Sequence, residues 1–189
     1  MVKIEPYASG VLRRDVHERL VADIDSYAHD AGIKPACIWT PLAETCGEDE
    51  IDYARRFNKH RAEGKVAGLV YTGSNKMIEA DLRMSALAGC LLRNFIRAQV
   101  RTVGQVVEGL KDGNEYDVSA LLIPNLFLPK AEAGHLSPWQ VSAVLDLLLT
   151  RQKVGLQTIV YVSDFVNLSK EYGVHFKTLF ETHYQRVQL

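Results

Sequence analysis

The chain has 189 residues, 47% of them apolar, with a formal charge of −1 and three cysteines. That length supports one sizeable core, and the near-zero charge supplies no overall field to gather nucleic acid or an anionic membrane, so any such contact must come from a local patch. Cys37, Cys46 and Cys90 are odd in number and widely spaced; they lack the paired spacing that zinc requires and read as reduced thiols, so no metal site is expected.

The N-terminal stretch MVKIEPYASG has no apolar signal core, and no segment approaches the ~18 apolar residues of a membrane span. A cytosolic location without a membrane partner is the expectation. Residues 12–31 then place Leu12, Val16, Leu20, Ile24 and Tyr27 at helical spacing, with Gly32 and Pro35 closing the segment. Periodicity does not decide between packing of this stripe on the core and its presentation to another protein. Val16, Leu20, Ile24 and Tyr27 are therefore the candidate partner-binding residues.

Residues 34–50 read as irregular, and residues 51–64 as a helix ended by Gly64. That helix carries RRFNKHR. Arg55, Arg56, Lys59 and Arg61 are a candidate DNA-contacting patch, against the simpler reading of a solvated helix face. Residues 1–64 form an N-terminal helical segment and residues 65–189 the main domain.

From residue 68 onward, short apolar runs alternate with helices, as in βαβ units on a largely parallel sheet. The runs are 68–73, 98–103, 119–124 and 156–163. A helix over about 77–97 is predicted to turn Leu82, Ala86, Leu87, Leu91, Phe95 and Ile96 inward, with Arg93 and Arg97 on one face. Ser137 and Pro138 cap a further helix that carries Val141, Val144, Leu145, Leu148 and Leu149. Residues 166–186 read as helical with a break at Gly173. Trp39 and Trp139 read as packing residues. The histidines at 17, 29, 60, 135, 175 and 183 show no catalytic spacing.

A strand ending in Thr-Gly and leading into a long helix is where a phosphate-binding loop sits in an α/β NTPase. In GxxxxGK[ST], the second glycine lets backbone N–H groups close round phosphate, the lysine neutralises it, and the hydroxyl holds magnesium. Counted from Gly73, those positions hold Ile78, Glu79 and Ala80. Ile78 resists positive φ, Glu79 reverses the charge and Ala80 cannot ligate a metal. Lys76 is the one cation in the loop, three positions early.

With that loop placed, the chain from about residue 31 resembles the ATPase module of the DnaC-type helicase loaders and the related IstB-type transposition helpers. The stretch AGIKPACIWTPLAET at 31–45 is similar to the segment that opens the family's module. YDVSALLIPNLF at 116–127 resembles its magnesium-site strand, with Pro124 and Asn125 where two aspartates are usual. LSPWQVSAVLDLLLTRQKVGLQTIVYVSD at 136–164 resembles the helix and strand that end in the γ-phosphate sensor, keeping Ser163 and replacing the asparagine with Asp164. Arg186 falls near the family's late arginine.

The resemblance implies a P-loop NTPase-like (AAA+/RecA-like) three-layer fold with a mainly parallel sheet, preceded by N-terminal helices. It implies an ATP-independent replication adaptor, a pseudo-ATPase with no cofactor, of the phage or plasmid type. Its partners would be a hexameric replicative helicase of the DnaB type and single-stranded DNA. Three rival readings stay open: a weak NTPase using Lys76, an inhibitor of a host helicase or loader, and an IstB-like transposition accessory protein. The sequence leaves oligomeric state undetermined.

Overall fold

The computed structural model describes residues 5–128 and 136–189, so the first four residues of the N-terminal stretch and His135 lie outside the described residues. Five parallel strands make one sheet: β1 (Gly68–Thr72), β2 (Ala98–Val100), β3 (Ala120–Phe127), β4 (Gln157–Val162) and β5 (Tyr184–Gln188). Their order is β2-β3-β4-β1-β5. The four predicted apolar runs are the first four strands, β3 ending three residues later than expected. The fifth corrects the reading of 166–186 as helix throughout: that segment forms α8 (Phe165–Glu171) and α9 (Val174–His183), broken at Gly173 as predicted, and then a strand pairing with β1.

Side-chain alternation along the strands sorts the core into two layers. Leu69, Tyr71, Leu122, Ile159 and Tyr161 face a layer built with Tyr53 and Phe57 of α4 (Glu48–Glu63) and with Met84, Leu87 and Leu91 of α5 (Met77–Arg93). Val70, Leu121, Ile123, Val160 and Val162 face the other, built with α6 (Val103–Lys111), α7 (Pro138–Lys153), α8 and α9. Helix, sheet, helix is the three-layer α/β architecture that the resemblance implied. The helix α6 follows from Thr102, whose hydroxyl accepts the Gln105 N–H at 3.2 Å while the Gln105 side chain accepts the Thr102 N–H at 2.9 Å.

The expected single helix over 12–31 is two helices, α1 (Arg14–Ala22) and α2 (Ile24–Ala31), because Asp23 leaves helical geometry at φ −114°, ψ 25°. The short α3 (Ala36–Trp39) follows and lies hard against α5: a Cβ on Gly89 would sit 2.1 Å from the Cys37 carbonyl oxygen, so only glycine allows this approach. Leu12, Leu20, Ala28 and Ile38 close a small satellite core, with Trp39 half-buried against it.

At the starts of β3 and β4, Arg151 is 1% exposed. Its Nε donates to Thr158 Oγ1 at 2.9 Å, Nη1 to the Tyr116 carbonyl, and Nη2 to the carbonyls of Val118 at 3.1 Å and Gln157 at 2.6 Å. Burial draws its pKa down to about 10. The fork thus staples α7 to the starts of β3 and β4 with neutral oxygens alone. Beside it, Tyr53 donates to Gln157 Oε1 at 2.8 Å, tying α4 to the same strand start.

Candidate functional site

The β1–α5 connection is four residues, Gly73 to Lys76. Gly73 has φ 153°, and a Cβ there would lie 3.0 Å from the Leu189 carbonyl oxygen. Asn75 takes the left-handed conformation at φ 58°, which asparagine tolerates. The helix then starts at Met77, so the three motif positions fall in its first turns and diverge. Ile78 is 81% exposed, Glu79 turns back towards Lys76, and Ala80 is fully buried in the core.

The polar groups of this loop are engaged within the chain. Tyr161, from the neighbouring strand β4, donates its hydroxyl to the Gly73 carbonyl at 2.5 Å, and that hydroxyl accepts the Lys76 N–H at 3.0 Å. Lys76 Nζ pairs with Glu79 Oε2 at 2.8 Å, and this hydrogen bond holds the Glu79 carboxyl below its usual range. Glu79 also lies 3.6 Å from Arg83, which pairs at 2.6 Å with a fully buried Glu50. The other Glu50 oxygen accepts the Gly47 N–H at 3.1 Å at the start of α4. A relay of alternating charges therefore runs from the loop into the protein.

The strand that would supply magnesium ligands ends in an irregular register between Ile123 and Phe127. Pro124 is buried, and Asn125 Oδ1 accepts the Val103 N–H at 2.8 Å, joining the strand end to α6. Ser163 is buried, and its Oγ has no hydrogen-bond partner among the described residues. Asp164 caps α8, its Oδ1 accepting from Val166 at 2.7 Å and Asn167 at 3.1 Å. Gly73, Lys76, Ile78, Glu79 and Ala80 are thus gathered at the end of β1. Pro124 and Asn125 lie near the end of β3, and Ser163 and Asp164 follow β4, the two strands next along the sheet. Among the described residues no cluster of His, Cys, Asp or Glu could hold a metal ion.

Other sequence candidates scatter. Leu20 is 5% exposed in the satellite core, which corrects its place among the partner-binding residues: with Leu12 and Ala28 it anchors α1 and α2. Ile24 packs against the same cluster, while Val16 and Tyr27 remain exposed. Of the basic set, Arg56 pairs with Asp52 at 3.1 Å and Lys59 with Glu63 at 3.7 Å. Arg61 donates to Ser119 at 3.3 Å, leaving Arg55 as the exposed member without an ion pair among the described residues.

Arg93 is 9% exposed and donates to the Ile38 and Thr40 carbonyls at 3.2 and 2.8 Å; α5 ends there, so it shares no helix face with Arg97. Arg186 sits on β5, with Glu181 4.0 Å away. Leu82 is 58% exposed, Phe95 65% and Trp139 51%, against the inward or packing roles expected of them.

The fold is a three-layer α/β arrangement on one parallel sheet, and the loop after β1 is closed on itself. Comparison with solved structures finds the same fold: AMPPCP-bound DnaA from Aquifex aeolicus superposes with a TM-score of 0.54 at 13% identity over 76% of this chain and 47% of that one. A structure described as a DNA replication initiation factor gives 0.56 at 12% identity, over 83% and 50%. DnaI gives 0.56 at 16% identity, over 82% of this chain and 94% of that chain. The chain thus spans about half the length of the first two neighbours. No protein-family profile matches the sequence, and no curated protein matches it.

The Tyr161 contact is the feature that sequence reasoning missed. Its signal was a tyrosine inside the apolar run 156–163, but the sequence does not tell which loop lies beside that strand.

Proposed function

We propose that this chain is an ATP-independent adaptor that binds a hexameric replicative helicase of the DnaB type and assists its loading onto single-stranded DNA. The observation that carries the reading is the closed loop after β1. A phosphate would need the backbone N–H groups and the lysine, yet Tyr161 takes the Lys76 N–H and Glu79 takes the Lys76 ammonium. The carboxylate at position 79 repels what a lysine there would attract. Structural neighbours described as the replication initiator DnaA and as a DNA replication initiation factor support the process. Loading then draws on binding energy alone, as a difference in affinity between open and closed helicase rings.

The test is deposition of a DnaB-type hexamer on circular single-stranded DNA, measured by co-sedimentation without added nucleotide. The adaptor reading expects helicase on the circle only when the chain is present. Absence of any helicase–chain complex rejects it, and suppressed unwinding of protein-coated DNA would assign the chain as an inhibitor instead.

A further inference from the structure

The end of α5 carries a residue out of place. The Phe95 N–H bonds to the Leu92 carbonyl at 2.9 Å and the Ile96 N–H to the Leu91 carbonyl at 2.9 Å. This is the Schellman termination, whose left-handed position is normally glycine. Here that position holds Phe95 at φ 59°, with the side chain 65% exposed. A strained backbone that displays a large aromatic to solvent is a reason to look for what the aromatic meets.

His17 fixes the display. Its ring stacks on Phe95 at 5.7 Å between centroids, with planes 10° apart, while Nε2 lies 3.0 Å from the Arg93 carbonyl oxygen and Nδ1 accepts the Arg13 N–H at 2.9 Å. Beside this pair, α1, α2 and the end of α5 enclose a cleft of about 350 Å³. Tyr27, Leu92, Phe95 and Ile96 wall it, and the exposed cations Arg19 and Arg97 line it. A second cleft of about 470 Å³ shares Tyr27, Leu92 and Arg97 and extends the groove to Arg101. Arg19, Arg97 and Arg101 lie along the two clefts with Asp30, and Asp117 pairs with Arg97, so Arg19 is the exposed cation there without an ion pair among the described residues.

The geometry points to this groove as the docking site for an amphipathic helix of a protein partner, one whose apolar stripe is flanked by acidic residues. Apolar walls accept the stripe, and Arg19, exposed and without an ion pair among the described residues, meets an acid. Single-stranded nucleic acid fits less well, because it needs several free cations along a track. Arg97 already pairs with Asp117 at 3.3 Å, and Arg101 donates to the Val100 and Asp30 carbonyls at 2.8 and 2.7 Å. The inference rests on the adaptor reading only for the partner's identity.

The test measures fluorescence anisotropy of a labelled 18-residue peptide with a leucine and tryptophan stripe and glutamate flanks, against the whole chain. A second peptide replaces the glutamates with lysines. Expected are saturable binding of the acidic peptide alone, at least ten-fold weakening by Phe95→Gly or Arg19→Glu, and recovery of the lysine peptide on Arg19→Glu. Phe95→Gly relieves the left-handed position, so its Tm should equal or exceed that of the parent, separating lost contact from lost fold. No saturable binding, equal binding of both peptides, or indifference to Phe95→Gly overturns the site. So does Phe95-dependent binding of labelled oligothymidine, or Phe95-dependent self-association. Capture of a DnaB-type helicase equally by parent and Phe95→Gly overturns the groove and leaves the adaptor standing. The expected peptide pattern without helicase capture keeps the groove and rejects the adaptor.

Discussion

Replacing Tyr161 with phenylalanine removes one oxygen from the loop after β1 and keeps the ring that fills the core. Two hydrogen bonds go with it, from the hydroxyl to Gly73 at 2.5 Å and from Lys76 to the hydroxyl at 3.0 Å. Each is worth about 0.5–1.5 kcal/mol net, and the Gly73 carbonyl loses its partner, so the expected loss is about 1–3 kcal/mol. For a chain of this size 1 kcal/mol moves Tm by about 2–4 °C, which places the variant about 4–8 °C lower for a loss of ~2 kcal/mol. The Lys76 amide should also exchange with solvent faster, because its acceptor is gone. Thermal melting with hydrogen exchange resolved at Lys76 reads both. An unchanged Tm with unchanged protection at Lys76 would refute the account of the loop as closed by this tyrosine.

Arg151→Met should cost about 3 kcal/mol or more in urea unfolding, since three buried carbonyls lose their donor; a loss under about 1 kcal/mol would contradict the staple. Burial lowers the His60 pKa below its usual value, with the Arg56 charge acting the same way. The unfolded chain then binds the proton more readily, so this contribution is complete above about pH 6.5 and is lost as pH falls from there through the folded pKa. His60→Phe should flatten the stability profile between about pH 5 and 7, and an unaltered slope would count against it. Burial raises all three thiols, Cys46 up to about 12 with the Glu50 charge reinforcing it, and Cys37 is the one that is half-buried rather than buried. Iodoacetamide at about pH 8 should therefore label the half-buried Cys37 first, as read by mass spectrometry; labelling of Cys46 at the same rate would contradict the buried placement.

Much of the fold was legible because its signals are local. Apolar runs marked four strands, and Gly64 and Gly173 marked breaks that the structure keeps. The fifth strand was not legible: YQRVQ alternates weakly, and β5 exists through pairing with β1, far away in sequence. Leu82 and Phe95 misled for different reasons. Leu82 obeys helical spacing on a helix whose other faces already fill the core, whereas Phe95 lies past the last helical turn, in a conformation periodicity cannot foresee. At the candidate site, the substitutions at 78, 79 and 80 could be read from spacing alone. The Lys76–Glu79 pair is local, three residues apart, whereas a loop held by Tyr161 depends on β4 lying beside β1.

Titration calorimetry of the whole chain with Mg-ATP tests the central claim most directly. The account predicts no saturable heat up to millimolar nucleotide, with helicase binding unchanged by its presence. Saturable binding in the micromolar range, lost on Lys76→Ala, would contradict it and make the chain a nucleotide-binding protein with an unusual loop.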